Sequence, residues 1–392
     1  MKEKWYSPLT IVGNTATNEY YFQRTDIEEE TWEEIKKGNY ILYVAPRRVG
    51  KSSIMKNMVK NHSDNYCCIY EDIEGVKSNE EFYKRFYYLI LSTLSKKDKI
   101  RKKVKEVYDR LKIKEVAFNK IVFDKNEINY LEEIRNILPE IKKLDVFVVL
   151  FLDELPEILN KFIKANKTDD AIEILNNIRE WRQDDNFSNF SIVFAGSIGL
   201  HHITRKLGRP KYINDLHSIK VPELTKEEAI EFIQKATKDA TIKYDEKMIE
   251  KLLDKIGHYL PYYISLMLEE INRTCKKEDK RKINNDDIDL AFDNILKEHK
   301  NFDDWKSRLK DYLPEHFPFI NEVLGYCAFN NKIPVQKIND IAGQYKTDDY
   351  MDIIYQLQSD GYIFEHSKNE FKFISPFLKQ YWKNINPLYG NK

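Results

Sequence analysis

Apolar residues recur in two rhythms along the chain. In the first 220 residues, short apolar runs alternate with stretches of helical spacing. "YILYVA" (40–45), "CCIYEDIEG" (67–75), "VFVVLFLDELPEIL" (146–159) and "SIVFAGS" (191–197) each open on a short apolar run ending in a small or acidic residue, as strands of a buried parallel sheet do. Between them, "SIMKNMVK" (53–60) puts Ile54, Met55, Met58 and Val59 on one helical face. "SNEEFYKRFYYLILSTL" (78–94) carries an apolar stripe through Phe82, Phe86, Tyr87 and Ile90, with Ser78 and Glu81 at capping-box spacing. Strand and helix in alternation predict an α/β fold with a parallel sheet over residues 1–222.

After Val221 the strand signals stop. "ELTKEEAIEFIQKA" (223–236) opens a helix with Thr225 and Glu228 as capping box, "LPYYISLMLEEINRT" (260–274) gives another, and "KKEDKRK" (276–282) reads as an exposed connector. Residues 223–300 are therefore expected to form a helical domain. Residues 301–392 change character again. Three helical patterns, "FPFINEVLGYCAFNN", "PVQKINDIA" and "DDYMDIIYQLQSDG", precede two alternating strands in "YIFEHSKNEFKFIS", the order of a winged helix.

The loop between the first strand and helix carries the chemistry. "YVAPRRVGKSS" (43–53) comes close to G-x-x-x-x-G-K-[ST], with Ala45 in place of the first glycine. Such a loop turns backbone N–H groups toward the α- and β-phosphates, reaches the β- and γ-phosphates with a lysine and holds Mg²⁺ with a hydroxyl. Ala45, Pro46, Arg47, Arg48, Val49, Gly50, Lys51, Ser52 and Ser53 are the expected nucleotide-binding residues. The first position lies where the strand leaves the sheet, so a methyl group fits there if φ stays negative. The strand at 146–152 ends in Asp153 and Glu154. Beside a phosphate loop, one such acid holds Mg²⁺ and the next deprotonates the attacking water. Ser197 ends the third apolar strand, where a polar side chain would sense the γ-phosphate.

Composition narrows the partners. The 392 residues hold 64 Lys plus Arg and 64 Asp plus Glu, so no global charge draws the chain to nucleic acid or anionic lipid. The exception is local: residues 95–125 carry twelve basic and five acidic residues, read either as a solvated insertion or as a DNA-binding patch. The longest apolar run, at 146–152, is too short to span a bilayer, and "MKEKWYSPLT" lacks the apolar stretch of a signal peptide, so a cytoplasmic protein with no membrane partner is expected. Four cysteines, with Cys67 and Cys68 adjacent, and the pair His201 and His202 match neither a disulfide framework nor a metal pattern.

Taken together, "APRRVGKSS", "YEDIEGVKS", "LFLDELPEIL", "IREWRQ", "FAGSIGLHHI", "INDLHSIKVPELTKEEA", "GHYLPYYISLMLEE" and "ISPFLKQYW" make the chain, from about residue 15 to 385, resemble the P-loop ATPases of the AAA+/STAND assemblage (signal-transduction ATPases with numerous domains). The resemblance is strongest to the archaeal and bacterial ATPase family with a C-terminal winged helix. It implies that "YYFQRTDIEEE" lies on the adenine side, with Arg24 matching and Gln23 standing where glycine is usual. It also implies that Lys51 binds the β- and γ-phosphates, Ser52 and Asp153 hold Mg²⁺, Glu154 activates water and Ser197 is the sensor. Pro261 in "GHYLP" is either a base contact or a plain helix start. Arg205 and Arg209 are candidates for the arginine that stabilises transition-state charge.

Three functions fit these expectations: an ATP-driven switch controlling self-assembly or partner capture, a DNA-binding ATPase, and a nucleotide-loaded scaffold. Lys51, Asp153 and Glu154 together speak against the scaffold, which needs no base. "TDDYMDIIYQLQSDG" carries four aspartates and no Lys or Arg, and the tail from Asn301 counts eleven basic against twelve acidic residues, a composition unsuited to groove docking. The switch is the expected function. If the Ala45 methyl is harmless, Ala45→Gly will change ATP affinity by less than about tenfold in calorimetry, roughly 1.4 kcal/mol; a larger gain means the methyl obstructs the loop.

Overall fold

A computed structural model describes residues 4–95, 105–106, 128–144, 146–196, 199–298 and 301–387. Of the lysine-rich run only Lys105 and Glu106 fall within that set, both helical and exposed, and Ser197 lies outside it. The chain divides into two compact units, one of residues 23–44 and 51–221, the other of residues 1–22, 45–50 and 222–392.

The first unit holds a five-stranded parallel sheet. Its strands are β1 (Ile41–Val44), β2 (Tyr66–Asp72), β3 (Phe147–Asp153), β4 (Phe190–Phe194) and β5 (His217–Lys220), in the order β2-β3-β4-β1-β5. Four of these are the strands expected from the apolar runs. The fifth gave little apolar signal because it is an edge strand in which only Ile219 is buried. β4 lies between β1, which leads into the phosphate loop, and β3, which carries the acids.

Helices α1 (Thr25–Lys36), α2 (Lys51–Lys60), α3 (Asn79–Ser95), α4 (Tyr130–Lys143), α5 (Leu155–Lys164), α6 (Thr168–Gln183) and α7 (Leu200–Lys206) belong to the same unit. The α3 stripe through Phe82, Phe86, Tyr87 and Ile90 is buried, and Phe86 sits between the rings of Trp181 (4.9 Å between centroids) and Phe190 (5.8 Å). Ser78 Oγ accepts the Glu81 N–H, but the Glu81 carboxylate returns to the N–H of Lys77 rather than that of Ser78. In α2, Ile54, Met55 and Met58 are buried and Val59 is half-buried.

The second unit is helical over most of its length. Its N-terminal segment is tied to α8 (Lys226–Thr237) and the turn after it: the Leu9 N–H donates to the Ala236 carbonyl (2.7 Å) and the Thr241 N–H to that of Tyr6 (2.9 Å). Thr225 and Glu228 form the full reciprocal capping box. α9 (Glu246–Ile256) ends on Gly257 at φ +55°, and α10 (Pro261–Glu278) starts on Pro261. The stretch 276–282 is not simply a connector. Lys276, Lys277 and Glu278 form the last turn of α10, which stops at Asp279 in the left-handed region, and Lys280 Nζ binds both oxygens of Asp287 at 2.6 Å.

After α11 (Asn285–Lys297) come α12 (Asp303–Tyr312), α13 (Phe317–Asn330), β6 (Ile333–Pro334), α14 (Val335–Tyr345), α15 (Tyr350–Ser359), the hairpin β7 (Ile363–Ser367) and β8 (Glu370–Phe373), and α16 (Pro376–Ile385). β6 joins the hairpin as a third antiparallel strand, in the order β6-β8-β7. Two residues containing a proline are too short to show a period. Among the described residues, no helix is long and apolar enough to cross a membrane.

Emptying the aromatic cluster is the direct test of this core. Phe86→Ala will lower unfolding free energy by about 3–5 kcal/mol, read as a lower urea midpoint with an unchanged slope.

Candidate nucleotide-binding site

In the first unit the site is built around one carboxylate. Asp153 is the last residue of β3 and 4% exposed. Its Oδ2 accepts from Ser52 Oγ (2.5 Å) and from the Tyr70 hydroxyl (3.0 Å), while Oδ1 accepts the N–H of Glu154 (3.1 Å). Ser52 and Asp153 stand 101 positions apart in sequence. Lys51, 7% exposed, and Ser52 open α2, whose first N–H groups have no partner within the helix. A helix start with a lysine, and a hydroxyl against a carboxylate, are hard, charge-matched donors suited to a phosphate group and Mg²⁺.

Glu154 is held in an unusual conformation. Its backbone lies at φ +65°, ψ +27°, and its N–H also donates to the Ala195 carbonyl (2.9 Å). A non-glycine residue in the left-handed region costs about 1 kcal/mol or more and persists only where the surroundings enforce it. Just after Glu154, Pro156 near the start of α5 packs closely on Gly196, where a Cβ would lie 2.6 Å from Pro156 Cδ. Neither residue stood out in sequence, although a glycine directly after a buried strand is a signal of close approach.

The loop residues Ala45–Gly50 belong to the second unit. Gly50 has φ +106° and Arg48 φ +64°. The side chains of Arg47 and Arg48 both bind Asp304 on α12, Arg47 through Oδ2 and Arg48 through the same oxygen at 3.5 Å. Arg48 also donates to the Asn301 carbonyl (3.3 Å), and its guanidinium lies 3.9 Å from the ring centroid of Tyr262. Burial acts to raise the Asp304 carboxyl, but the charge and hydrogen bond of Arg47, with Arg48 and Arg308 behind them, outweigh it and leave the pKa lowered. Pro46 packs on Gly361, where an added Cβ would fall 2.8 Å from Pro46 Cβ. Gly361 has φ +82°, so both space and backbone call for glycine.

Asp304, Tyr262 and Gly361 had no motif to announce them. Their roles come from long-range contacts that a local pattern does not encode. The remaining candidates are spread out. Pro261 is the first residue of α10, beside Tyr262. Arg24 is buried at the start of α1. Arg205, on α7, and Arg209, just after it, are exposed.

A phosphate loop between a parallel strand and a helix, with an acid ending the strand two places away in the sheet, defines the core of a P-loop ATPase. The chain belongs to the AAA-like domain family, which matches residues 12–301. Among solved structures it is similar to the Walker-type ATPase of Pyrococcus abyssi, at 17% identity and a TM-score of 0.67 over 96% of this chain and 99% of that one. It is also similar to the ORC2 protein of Aeropyrum pernix in its ADPNP and ADP complexes, at 11% identity and a TM-score of 0.54 over 96% and 98%. No curated protein matches the sequence.

Removing the loop lysine tests the site. Lys51→Ala will weaken ATP binding at least about tenfold, since a hydrogen bond to a charged group contributes roughly 1.5–3 kcal/mol; equal calorimetric affinity in both proteins would show that nucleotide does not sit on this loop.

Proposed function

We propose that the protein is an Mg²⁺-dependent ATP-binding and ATP-hydrolysing switch, whose nucleotide state controls self-assembly or capture of a protein partner. The observation that carries this reading is the grip on the phosphate loop: Arg47 and Arg48 hold Asp304, Tyr262 and the Asn301 carbonyl, and Pro46 meets Gly361. Any shift of the loop on nucleotide binding is transmitted to α10, α12 and the turn before β7.

In this reading Lys51 binds the β- and γ-phosphates, and the loop from Ala45 to Ser53 wraps the phosphates, donating its backbone N–H groups at every position except Pro46. Ser52 and Asp153 hold Mg²⁺, which supplies charge neutralisation at the phosphates. Glu154 takes the proton of the attacking water, aimed by its constrained backbone. Ser197 senses the γ-phosphate, Arg205 or Arg209 serves as the arginine of the transition state, and Arg24 and Pro261 flank the base. Residues 223–300 act as a helical lid. Residues 301–392, in which α13, β6, α14, α15 and the hairpin follow one another between α12 and α16, act as a winged helix that contacts protein rather than DNA. The face of α15 supports that choice, because Asp348, Asp349 and Asp352 are exposed at or before its first turn and Tyr355 is 59% exposed beside them.

DNA binding through the lysine-rich run is the second reading, favoured by its twelve basic residues against five acidic. Binding there would weaken steeply with salt.

Sedimentation with ADP and with a non-hydrolysable ATP analogue, with and without DNA, separates the two. The switch predicts an oligomeric state that follows the nucleotide and ignores DNA; a DNA-dependent change at about 50 mM salt, where non-specific binding is strong, would overturn it. Asp304→Asn will retain ATP binding but uncouple the oligomeric state from the nucleotide. Glu154→Gln will bind ATP and hydrolyse it at least about 10² more slowly, the contribution usual for a general base.

A further inference from the structure

We propose that Tyr70 is a positioning residue for the metal end of the site, holding the Asp153 carboxylate in the orientation that receives Mg²⁺. The proposal rests on the nucleotide reading above and adds to it a residue outside the loop and outside the acid pair.

The geometry begins with strand register. β2 and β3 are parallel, with Asp72 opposite Asp153 and Tyr70 opposite Phe151. Side chains alternate along a strand, so Tyr70, Asp72, Phe151 and Asp153 share one face of the sheet. From two positions back along the neighbouring strand, the Tyr70 ring reaches forward and its hydroxyl donates to Asp153 Oδ2 at 3.0 Å. Lys56 on α2 places its ammonium 4.8 Å from the centroid of the same ring.

Three donors on one carboxylate leave it little freedom. A serine hydroxyl rotates, so Ser52 alone would not fix the carboxylate plane. Tyr70 has two rotatable bonds and a rigid ring seated on a sheet strand, and together with the Glu154 N–H it sets that plane. Partners that hold a metal ligand in place commonly change metal affinity by 10–100-fold when lost.

Tyr70→Phe keeps the ring and removes only the hydroxyl. ATP affinity would be measured by calorimetry in Mg²⁺ and in EDTA for wild type and variant, with a urea titration of each. The gain in affinity that wild type draws from Mg²⁺ will fall about tenfold in the variant. Affinity in EDTA will stay within about twofold, and turnover will need more Mg²⁺ to reach its plateau. An unchanged Mg²⁺ dependence would overturn the assignment. So would an equal loss in Mg²⁺ and in EDTA, which would make Tyr70 a packing residue. Absence of ATP binding by wild type would instead remove the nucleotide reading itself.

Discussion

The Asp153 carboxylate is where the sheet, the first helix after the loop and the second strand are brought into one place. Ser52 arrives from α2, Tyr70 from β2, and the Glu154 N–H from the turn into α5. A carboxylate 4% exposed is tolerated only with such partners, because an ionised group taken out of water without them is costly. The in-register pairing of β2 with β3 and the continuous burial of Val148–Leu152 therefore have a chemical outcome. They fix the height at which polar side chains emerge from the ends of the strands, which is where open parallel sheets collect their ligands.

The loop shows how a chain with no net charge concentrates electrostatics locally. Arg47 and Arg48 share a single carboxylate, so the cluster retains positive charge after Asp304 is counted. Tyr262 takes part of that excess through the face of its ring. These groups are partly exposed, so their mutual attraction is screened and their value lies in orientation more than in stability.

Much of this was legible in sequence because the strands are buried on both sides. A central parallel strand reads as an unbroken apolar run, and the acids at its end are visible for that reason: Val146–Leu152 gave β3, and Asp153 and Glu154 followed. The helical caps at Thr225 and Glu228 were readable because both partners lie within one turn. What escaped was either short, polar or distant. β5 buries only Ile219, β6 is two residues long, and the sequence reading names no helix at α4, α6, α12 or α16. Tyr70, Asp304 and Gly361 act across 83, 257 and 315 positions of chain on Asp153, Arg47 and Pro46, and no local periodicity reports such pairs.

The two compact units are not two segments. The chain passes from one to the other after Phe22, again after Val44, back after Gly50 and once more after Val221. The phosphate loop is thus a six-residue excursion stitched at both ends to the sheet-bearing unit. A single break at residue 221 would leave the loop on a different fragment from the Asp304 that binds its arginines.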